Sequence, residues 1–113
     1  MAQLDSVTRN RMDLALQVLS RRTRPVAAYL FGSHAEGRSD EWSDYDLAVF
    51  IEGAESWDLP GLAQFCASIQ KEAGDDIELH VFSSAAFRSP EPASFAAYIM
   101  AHGIRLDIED VAA

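Results

Sequence analysis

Apolar and polar positions alternate along the chain in a way that divides it into short elements. From Leu4 to Ser20 the apolar residues Leu4, Val7, Met12, Ala15, Val18 and Leu19 gather on one broad side at helical spacing. Asp5 or Ser6 would cap the start of that helix, and Pro25 closes the linker after it. Val26 to Phe31 (VAAYLF) is an unbroken apolar run with the length of a buried strand. Gly32 to Ser43 is polar and holds two glycines, so it reads as turn and loop. Asp44 to Ile51 alternates in part and predicts a second strand, broken by Gly53. Asp58 can cap a helix starting near Leu59-Pro60, because proline is tolerated in a first turn. Leu62, Phe65, Cys66 and Ile69 follow at i, i+3, i+4 and i+7, an amphipathic face that Gly74 stops. Asp76 to Phe82 (DIELHVF) predicts a third strand. Ser89-Pro90-Glu91-Pro92 would open a last helix with Phe95, Tyr98 and Ile99 on one face. Gly103 ends it, and Ile104-Arg105-Leu106 would make a short edge strand.

The predicted order is α, β, β, α, β, α and a short final strand. Two strands joined by a loop, with helices elsewhere, indicate an α+β fold: a mixed sheet of three to four strands with helices packed against it. The 113 residues suggest a single domain over 1–113. Such a chain buries one modest core and leaves no room for a second substrate-binding domain.

Composition narrows the classes. Apolar residues make up 49%, which excludes a disordered chain. No apolar run nears the roughly 20 residues of a membrane span, and the N-terminus lacks the apolar core of a signal peptide. The lone Cys66 cannot form an internal disulfide and fits packing in a reducing cytoplasm. The net charge of −9 argues against direct nucleic-acid binding, which needs a basic surface. Charge is uneven, however. Arg9, Arg11, Arg21, Arg22 and Arg24 precede residue 25, while eight acids lie between Glu36 and Asp58. The arginines read first as a solvated helix face, and second as a dock for a partner or a polyphosphate. The acidic tail (Asp107, Glu109, Asp110) is expected to fray.

The candidate chemistry lies in the stretch LFGSHAEGRSDEWSDYDLAVF, Leu30 to Phe50. A strand sends residues i and i+2 to one face, so Asp44 and Asp46 should project together, in line with Ala48 and Phe50. Two such carboxylates suit a hard divalent cation, Mg²⁺ or Mn²⁺, shared with substrate phosphates. Gly32 lets a phosphate approach the backbone, and Ser33 offers a hydroxyl and an N–H. A helix or tight turn starting there would add free N–H groups. His34 and His80 read as surface or satisfied histidines, although His80 would share the carboxylate face. Trp42, Tyr45 and Trp57 could stack on a base, meet a partner or simply pack.

Gly32-Ser33, ten residues, then Asp44-Tyr45-Asp46 resembles the signature of the minimal nucleotidyltransferases, a branch of the DNA polymerase β-like superfamily. The longer stretch GSHAEGRSDEWSDYDL matches that family's GSxAxG…SDxDL pattern, including Ala35, Gly37, Ser43 and Leu47. The resemblance implies a nucleotidyltransferase fold and Mg²⁺-dependent transfer from ATP. It places the metal and catalytic carboxylates on Asp44 and Asp46, and the nucleotide on Gly32, Ser33, Arg38 and Ser43. It also implies a third carboxylate on the third strand. Glu78 stands there between Ile77 and Leu79, ahead of Asp76, which shares its face two residues earlier. The family usually has Asp at that position. Glu36 stands where many members have an arginine, and Arg38 would compensate.

Stand-alone members resembling this chain commonly pair with a helical HEPN toxin, and some add AMP to a tyrosine of that toxin. The leading expectation is therefore an antitoxin acting by AMP transfer within a hetero-oligomer. One alternative is a degenerate antitoxin that neutralises its partner by contact alone, with Glu36 and Glu78 marking the lesion. Another is a small-molecule nucleotidyltransferase of the aminoglycoside-modifying type.

Overall fold

Asp5 starts the first helix: its carboxylate accepts the Thr8 N–H at 2.7 Å, and α1 runs over Ser6–Arg22. Arg21 and Arg22 in the last turn suit the negative end of the helix. Strand β1 (Pro25–Phe31) follows, with Pro25 inside the strand rather than ahead of it. A single helical turn, α2 (Ser33–Glu36), leads through a loop to β2 (Tyr45–Ile51). After a 3₁₀ turn at Ala54–Ser56, Asp58 accepts the Gly61 N–H at 2.7 Å and caps α3 (Leu59–Ala73). The chain continues through β3 (Ile77–Ser83), α4 (Ser84–Arg88), α5 (Phe95–His102) and β4 (Ile104–Leu106). The computed structural model describes residues 4–108, so Glu109 and Asp110 of the acidic tail lie outside the described residues.

The four strands lie in the order β3-β2-β1-β4. β1 is antiparallel to both β2 and β4, while β2 and β3 are parallel. The parallel step needs a crossover, and α3 supplies it. One sheet face (Ala28, Leu30, Leu47, Val49, Ile51, Ile77) packs on Met12, Ala15, Leu16, Val18 and Leu19 of α1 and on Ile69 and Ala73 of α3. The other face (Ala27, Tyr29, Phe31, Ala48, Phe50) is covered by Ala96 and Ile99 of α5, with Ala86 and Phe87 of α4 beside them. Phe50 is fully buried and meets Tyr29, Phe82 and Phe87 at centroid distances of 6.1, 5.1 and 5.6 Å. Truncating such an aromatic to alanine costs about 3–5 kcal/mol.

Three expectations from the pattern are corrected. Val7 is 65% exposed, and Thr8 and Leu16 take the inner side of α1 in its place. The last helix starts at Phe95 under a Ser94 cap, not at Ser89, because a separate α4 ends at Arg88 and a turn over Glu91–Ser94, with Pro92 inside it and Ala93 at φ 61°, separates the two helices. Phe95 and Tyr98 are half exposed, and Ala96 with Ile99 forms the buried side of α5.

Much of the arginine cluster is used internally. Arg11 binds Asp76 with two nitrogens, one of them at 3.1 Å, and also reaches the Ala73 carbonyl. Arg22 pairs with Glu72 and donates to Ser68 at 2.7 Å. These links fasten α1 to α3 and to the start of β3, in line with a structural use of the cluster. Gly74 belongs to the same arrangement. Its φ is 128°, and a Cβ there would strike both Arg11 and Asp76. Burial pushes the Cys66 thiol up, away from a reactive thiolate. Among the described residues, no helix is long and apolar enough to cross a membrane.

Candidate active site

Phe31, the last residue of β1, pairs with Asp46 on β2. The chain then leaves the sheet through Gly32, whose φ of 78° and ψ of −154° are open almost only to glycine. A Cβ on Gly32 would collide with the Asp46 carboxylate. Glycine is thus required twice over, by the turn and by the acid lying against it.

The Gly32 carbonyl accepts the N–H groups of Ala35 and Glu36 at 3.1 and 3.0 Å. This leaves the N–H groups of Ser33 and His34 without a partner inside α2. Gly37 ends the turn in the left-handed region, with φ 74°. The loop then returns to the sheet and is fastened at its far end. His34 Nε2 donates to the Ser43 carbonyl at 3.1 Å, and its ring stacks on Tyr45 at 3.9 Å. Ser43 Oγ bonds Asp40, whose carboxylate also accepts the Trp42 N–H at 2.9 Å. Trp42 stands out at the loop's tip, 83% exposed.

The parallel register of β2 and β3 sets Asp46 beside Glu78 and Ala48 beside His80. His80 Nε2 lies 3.4 Å from Asp46 Oδ1 and 3.8 Å from Glu78 Oε1. One ligand atom from each of Asp46, Glu78 and His80 lies within 4.8 Å of the others. Asp46 and His80 are about three-quarters buried, whereas Glu78 is more than half exposed. The His80 ring is held edge-on by Phe31 at 5.0 Å and by Phe95 at 5.9 Å. Two carboxylates converging with an imidazole form a donor set that fits a divalent cation. It is a nucleotidyltransferase-type arrangement: anionic side chains for a metal, beside a glycine turn open to phosphate.

The residues singled out from sequence fall into two groups. Gly32, Asp46 and Glu78 come together, and Ser33 begins the turn next to them. Asp44 is exposed just ahead of β2 and outside the three-residue cluster. Ser43 is engaged with Asp40 in the loop. Arg38, the cation expected to compensate for Glu36, reaches back to Glu36 itself at 3.0 Å. Asp76 does not share the face of Glu78. It precedes β3, and Arg11 holds its carboxylate on the α1 side of the sheet. His34 is satisfied within the loop, as its sequence reading had it. His80 is the residue that reading undervalued. The usable signal was its position two residues after Glu78, on the same strand face.

No curated protein and no solved structure gives a significant match to the chain. Residues 15–109 match the family described as Polymerase beta, Nucleotidyltransferase, a span that takes in the Gly32 turn, all four strands and the Asp46–Glu78–His80 cluster. With most of its length inside that match, and with a mixed four-stranded sheet carrying the acids at its β2–β3 edge, the chain belongs to the polymerase β-like nucleotidyltransferases.

Proposed function

We propose that this protein is a cytoplasmic antitoxin that transfers AMP from ATP to a hydroxyl, a tyrosine, of a partner HEPN toxin. The observation that carries the transfer chemistry is the side-by-side placement of Asp46 and Glu78 on parallel strands, with the Gly32 turn against Asp46. The protein partner is argued from charge: a net charge of −9 suits a basic, RNA-cutting partner.

In this reading Asp44, Asp46 and Glu78 hold Mg²⁺ or a similar ion. A bound divalent cation supplies charge compensation at the α-phosphate and at the departing pyrophosphate. The free N–H groups at Ser33 and His34, with the Ser33 hydroxyl, hold the outer phosphates. Gly32 keeps side-chain bulk out of their way. The acceptor oxygen attacks the α-phosphorus, the bond to the bridging oxygen breaks, and pyrophosphate leaves. The hydroxyl proton passes to a carboxylate, and Glu78 is the most exposed candidate of the cluster. Position and charge do most of the work, as in phosphoryl transfer generally.

A second reading is favoured by the Arg38–Glu36 pair, which occupies a cation that would otherwise be free for phosphate. Here the protein neutralises its partner by contact alone. One experiment separates the two. The partner from the neighbouring gene is incubated with this protein, Mg²⁺ and ATP, and its intact mass is read, with Asp44→Asn/Asp46→Asn as control. A gain of AMP units absent from the control is the expected result. An unchanged mass in a stable complex would sink the transfer reading in favour of contact.

A further inference from the structure

Imidazole is out of place in a site meant for magnesium. Mg²⁺ prefers six oxygens and gives up its waters reluctantly, whereas a ring nitrogen suits the later first-row ions. We propose that His80 is a metal ligand, and that Asp46, Glu78 and His80 together form a site selective for a divalent transition ion over Mg²⁺. The proposal rests on the reading of the active site above only in locating a metal there; it does not depend on which group is transferred.

The backbone fixes the three donors. Asp46 and Glu78 face each other in the β2–β3 register, and His80 follows Glu78 by one strand repeat. Ligand atoms about 2.0–2.2 Å from a tetrahedral centre stand about 3.4 Å apart. The observed separations from His80 Nε2 are 3.4 Å to Asp46 Oδ1 and 3.8 Å to Glu78 Oε1, close to that geometry before any ion contracts it. At 3.4 Å the direct His80–Asp46 contact is a long, weak hydrogen bond, so an ion entering between the two groups displaces little. The edges of Phe31 and Phe95 against the ring leave Nε2 directed at the two carboxylates. Gly32, with no side chain, leaves Asp46 room on its other side. A rotamer already held costs little when an ion arrives.

The test uses the full chain, free of any histidine tag and stripped of metal. Zn²⁺, Co²⁺ and Mg²⁺ are titrated separately by calorimetry, and the visible absorption of Co²⁺ reports its donor set. Zn²⁺ and Co²⁺ should bind one per chain and at least about 100-fold more tightly than Mg²⁺. His80→Asn should weaken Zn²⁺ and Co²⁺ by about 10-fold or more and leave Mg²⁺ within about twofold. Cys66→Ser should change neither. An unchanged Zn²⁺-to-Mg²⁺ ratio in His80→Asn overturns the proposal, as does loss of Zn²⁺ binding in Cys66→Ser. Nitrogen NMR of the histidines in the unsubstituted protein covers the case of a misfolded variant: Zn²⁺ must move the His80 Nε2 signal, and an unmoved signal overturns the proposal. AMP transfer in Mg²⁺ without this selectivity would leave the transfer reading standing and this one overturned. Selective binding with no transfer in any ion would do the reverse.

Discussion

The Asp46 carboxylate occupies the space into which a side chain on Gly32 would project. The Gly32 turn and the acid are therefore not independent features of the signature. The first prediction follows from this. Gly32→Ala should cost about 1–3 kcal/mol from its φ of 78° alone, with a further loss from the collision. Transfer should fall by about 100-fold, because Asp46 must move. Asp46→Ala in the same chain removes the collision but not the backbone strain. Urea melts of the four proteins of this double-mutant cycle should show a clear favourable coupling. Simple additivity would mean that the two residues do not compete for that space.

Asp76 and Glu78 are two residues apart and should fail in opposite ways. Asp76→Asn weakens the Arg11 link between α1 and the start of β3, at roughly 1–2 kcal/mol given that Asp76 is 43% exposed. Its transfer rate per folded molecule should hold. Glu78→Gln touches no structural ion pair with an arginine or lysine and should melt within about 0.5 kcal/mol of the parent. Its transfer should drop by about 100-fold or more. Denaturant melts beside a mass-based transfer assay decide the pair, and the reverse pattern would make Asp76 the catalytic acid.

That pair also shows where sequence pattern works and where it stops. Glu78 was legible through the family resemblance, which implies an acid between two apolar residues on the third strand, where Ile77 and Leu79 flank it. The helices α1 and α3, the strand runs and the Gly32 turn were legible because their periods or breaks are local. Asp76 was assigned to the wrong side because its fate is set by Arg11, far off in the chain, and no spacing reveals that contact. Val7 and Leu16 exchange roles because α1 meets α3 as well as the sheet, which shifts the buried stripe. His80 was discounted one residue at a time, while its meaning comes from the β2–β3 register.

Asp44 and Asp46 should not be equivalent. Asp46 is three-quarters buried in the cluster, while Asp44 is exposed ahead of the strand. Asp46→Asn should abolish measurable transfer and weaken divalent-ion binding by about 10-fold or more. Asp44→Asn should mainly lower transfer, with a smaller effect on ion binding in the absence of nucleotide. Calorimetry with and without a non-hydrolysable ATP analogue separates them. Equal losses in both conditions would place both aspartates on the ion from the outset.

Acid stability should depend on two carboxylates outside the Asp46–Glu78–His80 cluster. The Thr8 backbone N–H holds Asp5 below its ordinary value of 3.8, and Arg88 holds Glu52 below its ordinary value of 4.5. A carboxylate lowered on folding favours the folded state at pH above its ordinary value. That contribution is lost as pH falls through the lowered, folded value. Melting temperature should therefore decline as pH drops below about 4. Both groups are exposed, so the decline should be shallow, and the share from Glu52 should shrink in high salt. Glu52→Gln removes the charge that Arg88 binds and should flatten the lower part of the profile. Asp5→Asn keeps a capping oxygen for Thr8 and should leave the neutral-pH melt nearly unchanged while removing its own share of the acid slope. A profile equally steep in the double variant would place the acid sensitivity on other carboxylates.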